Sequence, residues 1–233
     1  MRASHVHRGR PAPTRARAVL FDLDGTLVDT APDMVGALNQ LRREEGEGSL
    51  PLEHVRPFVS HGARALVQIG FPQATGAAFE ALRVRFLDIY RRQLARETQL
   101  YDGAVEGLTC LESAGISWGI VTNKPGWLTQ PLLEQLGLDR RAGVIVSGDT
   151  LAQRKPHPAP LLHAAEKLAA PAAHCIYVGD AERDVQAGNA AGMRVFVALF
   201  GYIPENERPR EWPASGWLES PAEMARWLAS LRP

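Results

Sequence analysis

Six residues, Phe21-Asp22-Leu23-Asp24-Gly25-Thr26, follow directly on the apolar run Ala18-Val19-Leu20. The run reads as a short buried strand, and Gly25 breaks it. Side chains alternate along a strand, but the chain turns where the strand ends. Asp22 and Asp24 can therefore reach one pocket at the carboxyl end, where open α/β sheets bind ligands. Two carboxylates at the rim of a hydrophobic strand are costly unless a cation or a reaction needs them. A plain Asp/Gly turn is the bland alternative, and the hexapeptide followed by Leu27-Val28-Asp29-Thr30 argues against it.

Three further groups carry polar chemistry. Val121-Thr122-Asn123-Lys124-Pro125 ends another apolar run with a hydroxyl and an amide, then opens a helix whose first N–H groups can hold an anion. By itself that pattern is equally a helix cap. Lys155 stands in Gln153-Arg154-Lys155-Pro156-His157-Pro158, on a loop that prolines stiffen, where a lone lysine is usually solvated. Val178-Gly179-Asp180-Ala181-Glu182-Arg183-Asp184 ends a third run with a carboxylate and sets Asp184 one helical turn further on.

The elements that must position these groups follow a β-α-β-α rhythm. Strands are predicted over Ala18–Leu23, Ile116–Thr122, Val144–Val146, Cys175–Gly179 and Arg194–Ala198. Helices are predicted over Pro125–Leu136, Pro158–Ala169 and Ala181–Ala190 between the later strands, with a short final helix near Ala222–Leu231. The rhythm predicts a parallel sheet with helices on both faces and right-handed crossovers. All four polar groups then fall at carboxyl ends of parallel strands and converge on one crevice. Several carboxylates, one lysine and a hydroxyl/amide pair, without a Cys or His cluster, are hard oxygen chemistry that selects Mg²⁺ and phosphate.

Between the first two strands, about 31–100, helical patterning runs without a strand. Leu82, Phe86, Ile89 and Tyr90 recur at helical spacing, as do Leu66, Val67 and Gly70 less cleanly, and Glu44–Ser49 reads as an exposed loop. The expected organisation is a basic tail over 1–16, an α/β core over 17–30 and 101–233, and an inserted helical domain over 31–100. Trp, Pro and charge over 204–233 suggest a segment that wraps the core.

Composition excludes several classes. Of 233 residues, 45% are hydrophobic, and Lys+Arg and Asp+Glu both total 26. A balanced charge gives no general reason for nucleic-acid or anionic-membrane binding. The Arg-rich start lacks the apolar stretch of a secretory signal and reads as a frayed end, with a nucleic-acid arm as the alternative. No segment approaches the ~20 apolar residues that span a bilayer. Cys110 and Cys175, each in an apolar segment, are expected as buried thiols in a reducing cytoplasm. A monomer or homodimer is expected.

Asp22-x-Asp24-Gly25-Thr26, Thr122-Asn123, Lys155-Pro156 and Gly179-Asp180…Asp184, in this order, resemble the haloacid dehalogenase superfamily over nearly the whole chain. The inserted helical segment looks like its small cap. Val121–Pro125 and Lys155-Pro156-x-Pro158 resemble the phosphoglycolate phosphatase family. Ser60-x-Gly62-Ala63-Arg64-Ala65, Trp118–Pro125 and Gly201-Tyr202-Ile203-Pro204 resemble more closely the phosphatases of N-acetylmuramate 6-phosphate in peptidoglycan recycling.

The resemblance implies a phosphomonoesterase. Asp22 would be the nucleophile and Asp24 the acid and base. Asp22, the Asp24 carbonyl and Asp180 would bind Mg²⁺, with Asp184 orienting Lys155 or a bound water. Thr122, the Asn123 amide and Lys155 would hold the phosphoryl oxygens. In the cap, His61 and Arg64 would meet the substrate's carboxylate, that of N-acetylmuramate 6-phosphate or of 2-phosphoglycolate. Rival readings are a phosphosugar phosphatase or mutase, and a silent binding protein on the same fold. A dehalogenase would not need Asp24, and a nicotinamide-binding domain would want glycines where Asp22 and Asp24 stand.

Overall fold

Ala18, Val19, Leu20 and Phe21 are all fully buried, so strand β1 (Ala18–Phe21) has no solvent face. That is the mark of a parallel sheet covered on both sides. The computed structural model describes residues 15–233. The tail expected over 1–16 therefore lies outside the described residues except for its end. There Arg15 bridges to Arg232 and Ala16 is buried, so the chain is already packed before the strand begins.

After β1, a two-residue strand β2 (Val28–Asp29) leads into four helices: α1 (Ala31–Glu44), α2 (Leu52–Val55), α3 (Gly62–Gly70) and α4 (Gly76–Arg92). Strand β3 (Gln99–Leu100) returns antiparallel to β2. Then follow α5 (Ala104–Ser113), β4 (Ser117–Val121), α6 (Gly126–Gln135), β5 (Val144–Val146) and α7 (Ala159–Lys167). The chain ends with β6 (Cys175–Gly179), α8 (Glu182–Ala190), β7 (Arg194–Ala198), β8 (Gly216–Leu218) and α9 (Pro221–Ser230).

Six strands form one parallel sheet in the order β5-β4-β1-β6-β7-β8. The chain runs outward from β1 through β4 to β5, then returns to β6 on the other side. That reversal opens a crevice beyond the carboxyl end of β1. The five strands read from sequence are all present, three with the predicted bounds. β2, β3 and β8 were not predicted: β2 and β3 are two residues each, too few to set a period, and β8 opens on a glycine where β5 is a continuous Val-Ile-Val run.

Alternation along the strands splits the core in two. Val19, Phe21, Ile120 and Val178 pack on one face with Leu108, Leu132 and Met224, from α5, α6 and α9. Ala18, Leu20, Val121 and Tyr177 pack on the other with Leu161 and Val185, from α7 and α8. Cys175 belongs to this second cluster, but Cys110 is exposed, contrary to expectation. Its apolar neighbours Leu108 and Leu111 take the inner face of α5, and the 3.6-residue period turns Cys110 outward.

The helical layer is built the same way. Met34, Val35, Leu38 and Leu41 line one face of α1, and Phe79, Phe86, Ile89 and Tyr90 one face of α4. Gly70 lets α3 meet α1 closely, since a Cβ there would lie 2.7 Å from Leu38 Cδ1. Asp33 ties the entry of this layer to its exit. Its carboxylate accepts the N–H groups of Arg96, Glu97 and Thr98 and the Thr98 hydroxyl at 2.6–3.1 Å. No described helix is long and apolar enough to cross a membrane.

Candidate active site

Strand β1 stops at Phe21, two residues earlier than predicted, and Asp22 is the first residue beyond it. Asp22 is 3% exposed; its Oδ1 accepts the Leu23 N–H at 2.8 Å and lies 3.0 Å from Lys155 Nζ. Gly25 makes the turn with φ +85°, and a Cβ there would fall 2.2 Å from Asp180 Oδ2. Two requirements thus exclude a side chain at position 25: the left-handed backbone and the space taken by Asp180. Asp24 Oδ1 accepts from the Thr30 hydroxyl at 2.6 Å and from Lys124 Nζ at 2.9 Å.

The loop after β4 brings in Thr122, Asn123 and Lys124. The Asn123 side chain accepts the Lys155 N–H at 3.1 Å and donates to the Lys155 carbonyl at 2.9 Å, so it clamps the loop that carries Lys155. Its side-chain amide is thereby used, and its main-chain N–H is what remains for an anion. The α6 N-terminus is less open than the sequence suggested, because Asp149 accepts the Gly126 N–H at 2.8 Å.

Lys155 is 2% exposed, against the expectation for a lone loop lysine. Its ammonium lies 2.8 Å from Asp184 Oδ1 and donates to Tyr177 Oη at 2.6 Å and the Val121 carbonyl at 2.9 Å. Asp184 is held by protein groups, Lys155 and the Tyr177 hydroxyl on Oδ1 and the Ala181 N–H on Oδ2. Burial would raise its pKa, but Lys155 and Arg183 outweigh burial and hold it below the ordinary carboxylate range.

Asp180 is the opposite case. Its Oδ2 accepts from the Ser60 hydroxyl at 2.7 Å and the Tyr202 N–H at 2.8 Å, while its Oδ1 is buried with no partner among the described residues. Burial and the charges of Asp22 and Asp184 push its pKa up to about 8. Burial also holds Asp22 above its usual value, opposed by Lys155. Ligand oxygens of Asp22, Asp180 and Asp184 lie within 4.8 Å of one another and could hold a metal ion. The orphaned Asp180 oxygen and the all-carboxylate donor set fit a hard divalent cation.

Asp22, Asp24, Thr122, Asn123, Lys124 and Lys155 line one cavity of about 510 Å³ between the sheet and the helical layer. The helical side contributes Met34, Val59 and Leu87, and a rim that includes His61, Arg64 and Arg83. Arg64 and Arg83 share Glu80, at 2.5 and 2.7 Å, so two guanidinium groups face one carboxylate. His61 Nε2 lies 3.3 Å from Glu207 Oε1, on the segment after β7. The structure brings Asp22, Asp24, Thr122, Asn123 and Lys155 to the cavity wall, with Asp180 and Asp184 beside Asp22. His61 and Arg64 line the cavity but are tied to neighbouring carboxylates.

Sequence reasoning assigned no role to four residues that the structure places here. Lys124 and Tyr90 meet at Asp24, and Ser60 reaches Asp180. Arg183 donates to the Ser60 carbonyl at 2.8 Å, joining α8 to the helical layer. A lysine inside Thr122-Asn123-Lys124-Pro125 and a tyrosine on an apolar helical stripe carry no signal that they meet.

Comparison with known proteins gives the same picture. A curated relative in Xanthomonas campestris pv. campestris (strain 8004), named phosphoglycolate phosphatase, is 48% identical over 89% of this chain and 94% of its own length. One in Pseudomonas putida (strain KT2440), named N-acetylmuramic acid 6-phosphate phosphatase, is 38% identical over 93% and 97%. The crystal structure of a predicted phosphoglycolate phosphatase from Haemophilus somnus 129pt superposes with a TM-score of 0.81 at 27% identity, covering 93% of this chain and 98% of that one. The sequence profile described as haloacid dehalogenase-like hydrolase matches residues 19–198, and the chain belongs to that family.

Proposed function

We propose that this protein is a Mg²⁺-dependent phosphomonoesterase of small phosphorylated metabolites, working through an aspartyl-phosphate on Asp22. The observation that carries this reading is the pair of aspartates after β1 on the wall of one cavity, each on its own lysine, with a buried, unpaired oxygen on Asp180 beside Asp22. Asp22, Asp180 and the Asp24 carbonyl would hold Mg²⁺, which when bound neutralises charge on the phosphoryl group.

One Asp22 oxygen is held by the Leu23 N–H and Lys155, and the other is left to attack. In the first step this oxygen forms a bond to phosphorus as the ester P–O bond breaks, and Asp24 gives its proton to the departing alkoxide. In the second step water gives a proton to Asp24 and bonds to phosphorus, and the acyl-phosphate bond breaks to restore Asp22. Thr122, the Asn123 main-chain N–H and Lys155 receive the phosphoryl oxygens, and Asp184 fixes Lys155 for that task. The helices over 31–100 act as a cap that covers the reaction and reads the leaving group.

N-acetylmuramate 6-phosphate is our first choice of substrate. A cavity of about 510 Å³ with an apolar wall and an arginine rim suits a sugar bearing a distal carboxylate better than a two-carbon acid. 2-Phosphoglycolate is the second reading, favoured by the name of the 48% identical relative. The test is phosphate release from both compounds and from a panel of sugar phosphates, with and without Mg²⁺. Turnover of N-acetylmuramate 6-phosphate well above the rest supports the first choice. Preference for 2-phosphoglycolate selects the second, and no release from any of them with Mg²⁺ refutes the phosphatase reading.

A further inference from the structure

The hydrolysis outlined above makes no use of Lys124, yet this lysine is the charged partner of Asp24, beside the Thr30 hydroxyl on the same oxygen. Its Nζ lies 2.9 Å from Asp24 Oδ1, its side chain is 5% exposed, and it donates to the Tyr90 hydroxyl at 2.9 Å. The ammonium also sits 4.7 Å from the centroid of the Tyr90 ring. Burying an ammonium costs several kcal/mol before its partners are counted, and a leucine would fill the same space without that cost. A lysine here is thus explained by what it holds.

Both ends of Lys124 are fixed. Its N–H donates to Thr122 Oγ1 at 3.1 Å, and its carbonyl accepts from the Gly148 N–H at 2.9 Å and the Thr129 hydroxyl at 3.1 Å. At the far end Tyr90, fully buried on α4, stacks on Phe86 at 6.4 Å between centroids. Lys124 belongs to the sheet layer and Tyr90 to the helical layer. Lys155, which serves Asp22, has its side-chain partners in the sheet layer alone.

We infer that Lys124, braced by Tyr90, is a positioning residue for Asp24: it pins one carboxylate oxygen so that the other meets the leaving-group oxygen. The alignment of the acid then depends on the helical layer being in place over the sheet. A proton donor works only within hydrogen-bond reach of its target, so a carboxylate free to rotate loses most for leaving groups that need the proton. This inference rests on the phosphomonoesterase reading, and the experiment separates the two.

The experiment measures kcat/KM over a series running from nitrophenyl phosphate to phosphates of primary alcohols. This constant reports the steps through cleavage of the substrate's P–O bond, before water enters. Lys124→Met is expected to lower kcat/KM ~10–100-fold on the alkyl phosphates and less than about threefold on nitrophenyl phosphate. Tyr90→Phe, which removes only a hydroxyl, should steepen the series in the same direction by less. Circular dichroism and a melting curve report whether each variant folds. An equal loss across the series, or none, in folded Lys124→Met overturns the inference. If that variant does not fold, an unchanged series in Tyr90→Phe overturns it. A wild-type protein that releases phosphate from no member refutes the phosphatase reading instead.

Discussion

Lys155 and Arg64 are both cations on the wall of one cavity, and they differ in almost every physical respect. Lys155 is buried and held by Asp22, Asp184, the Tyr177 hydroxyl and a main-chain carbonyl, on loops that follow parallel strands. The Arg64 side chain is 71% exposed, shares Glu80 with Arg83 and lies over the Phe79 ring. On the sheet side, the lysines and aspartates are buried and most have their partners in place, which suits a reaction that needs fixed fields. On the helical side, charges are screened by water and their partners are exposed, so each contact is weak and open to change. On the function proposed above, the difference assigns the chemistry to the sheet wall and the choice of substrate to the helical wall.

The comparison is broken most severely at Asp22. Asp22→Asn should lower turnover ~10³-fold or more while leaving the fold intact, since the amide has nearly the same shape but is not a nucleophile. Activity of the purified variant within tenfold of wild type would show that the sheet wall does not carry the chemistry. Removing the metal is the next largest change. Excess chelator should abolish phosphate release and added Mg²⁺ should restore it, whereas Ca²⁺, which takes more oxygen ligands, should inhibit. Full activity in chelator would leave the Asp180 site without a catalytic purpose.

Asp24→Asn should cost about 10²-fold on an alkyl phosphate and clearly less in kcat/KM on nitrophenyl phosphate, whose leaving group needs little protonation. Equal losses on both would remove Asp24 from the acid's place. The smallest effect belongs to the helical wall. Arg64→Ala should lower kcat/KM by ~1.5–3 kcal/mol for a substrate with a carboxylate, the usual worth of a charge-assisted bond, and affect a neutral aryl phosphate much less. Competition from Glu80 places the expected loss near the lower figure. Equal losses would make Arg64 a structural or phosphate-directed residue, and Arg83 would then be the guanidinium to substitute.

The sheet side was legible because most of its groups end an apolar run. A strand buried on both faces announces itself by continuous Val, Ile, Leu and Ala, and whatever polar residue follows must lie at the rim. That logic brings Asp22, Asp24, Thr122, Asn123 and Asp180 to the rim, while Lys155, on the loop after β5, and Asp184, in α8, stand further along the chain. It placed the α6 N-terminus too freely, because Asp149 lies 23 residues from Gly126 and nothing local joins them. It misread Cys110 because an apolar neighbourhood in sequence is not one face of a helix.

The helical side was legible only as a set of helices. Leu82, Phe86, Ile89 and Tyr90, with Leu66, Val67 and Gly70, were read at helical spacing, and all but the half-buried Leu82 are buried. Which of them also touches the site is decided by how α4 lies over the sheet. Tyr90 meets Lys124 across 34 positions of sequence, and Ser60 meets Asp180 across 120.

By itself, then, the order of residues determined what is local: the strand-end motifs, the helical insertion, and a donor set of hard oxygens that could hold a metal ion. Periodicity and strand-end position are short-range properties, so a single chain can display them. Only the tertiary structure decided that two lysines divide two aspartates between them, that Asp180 keeps an oxygen without a partner, and that a helix-borne tyrosine braces the lysine on Asp24. Those facts depend on which side chains meet across layers. Burial makes them consequential, because an ionised group out of water is stable only where a partner has been brought to it.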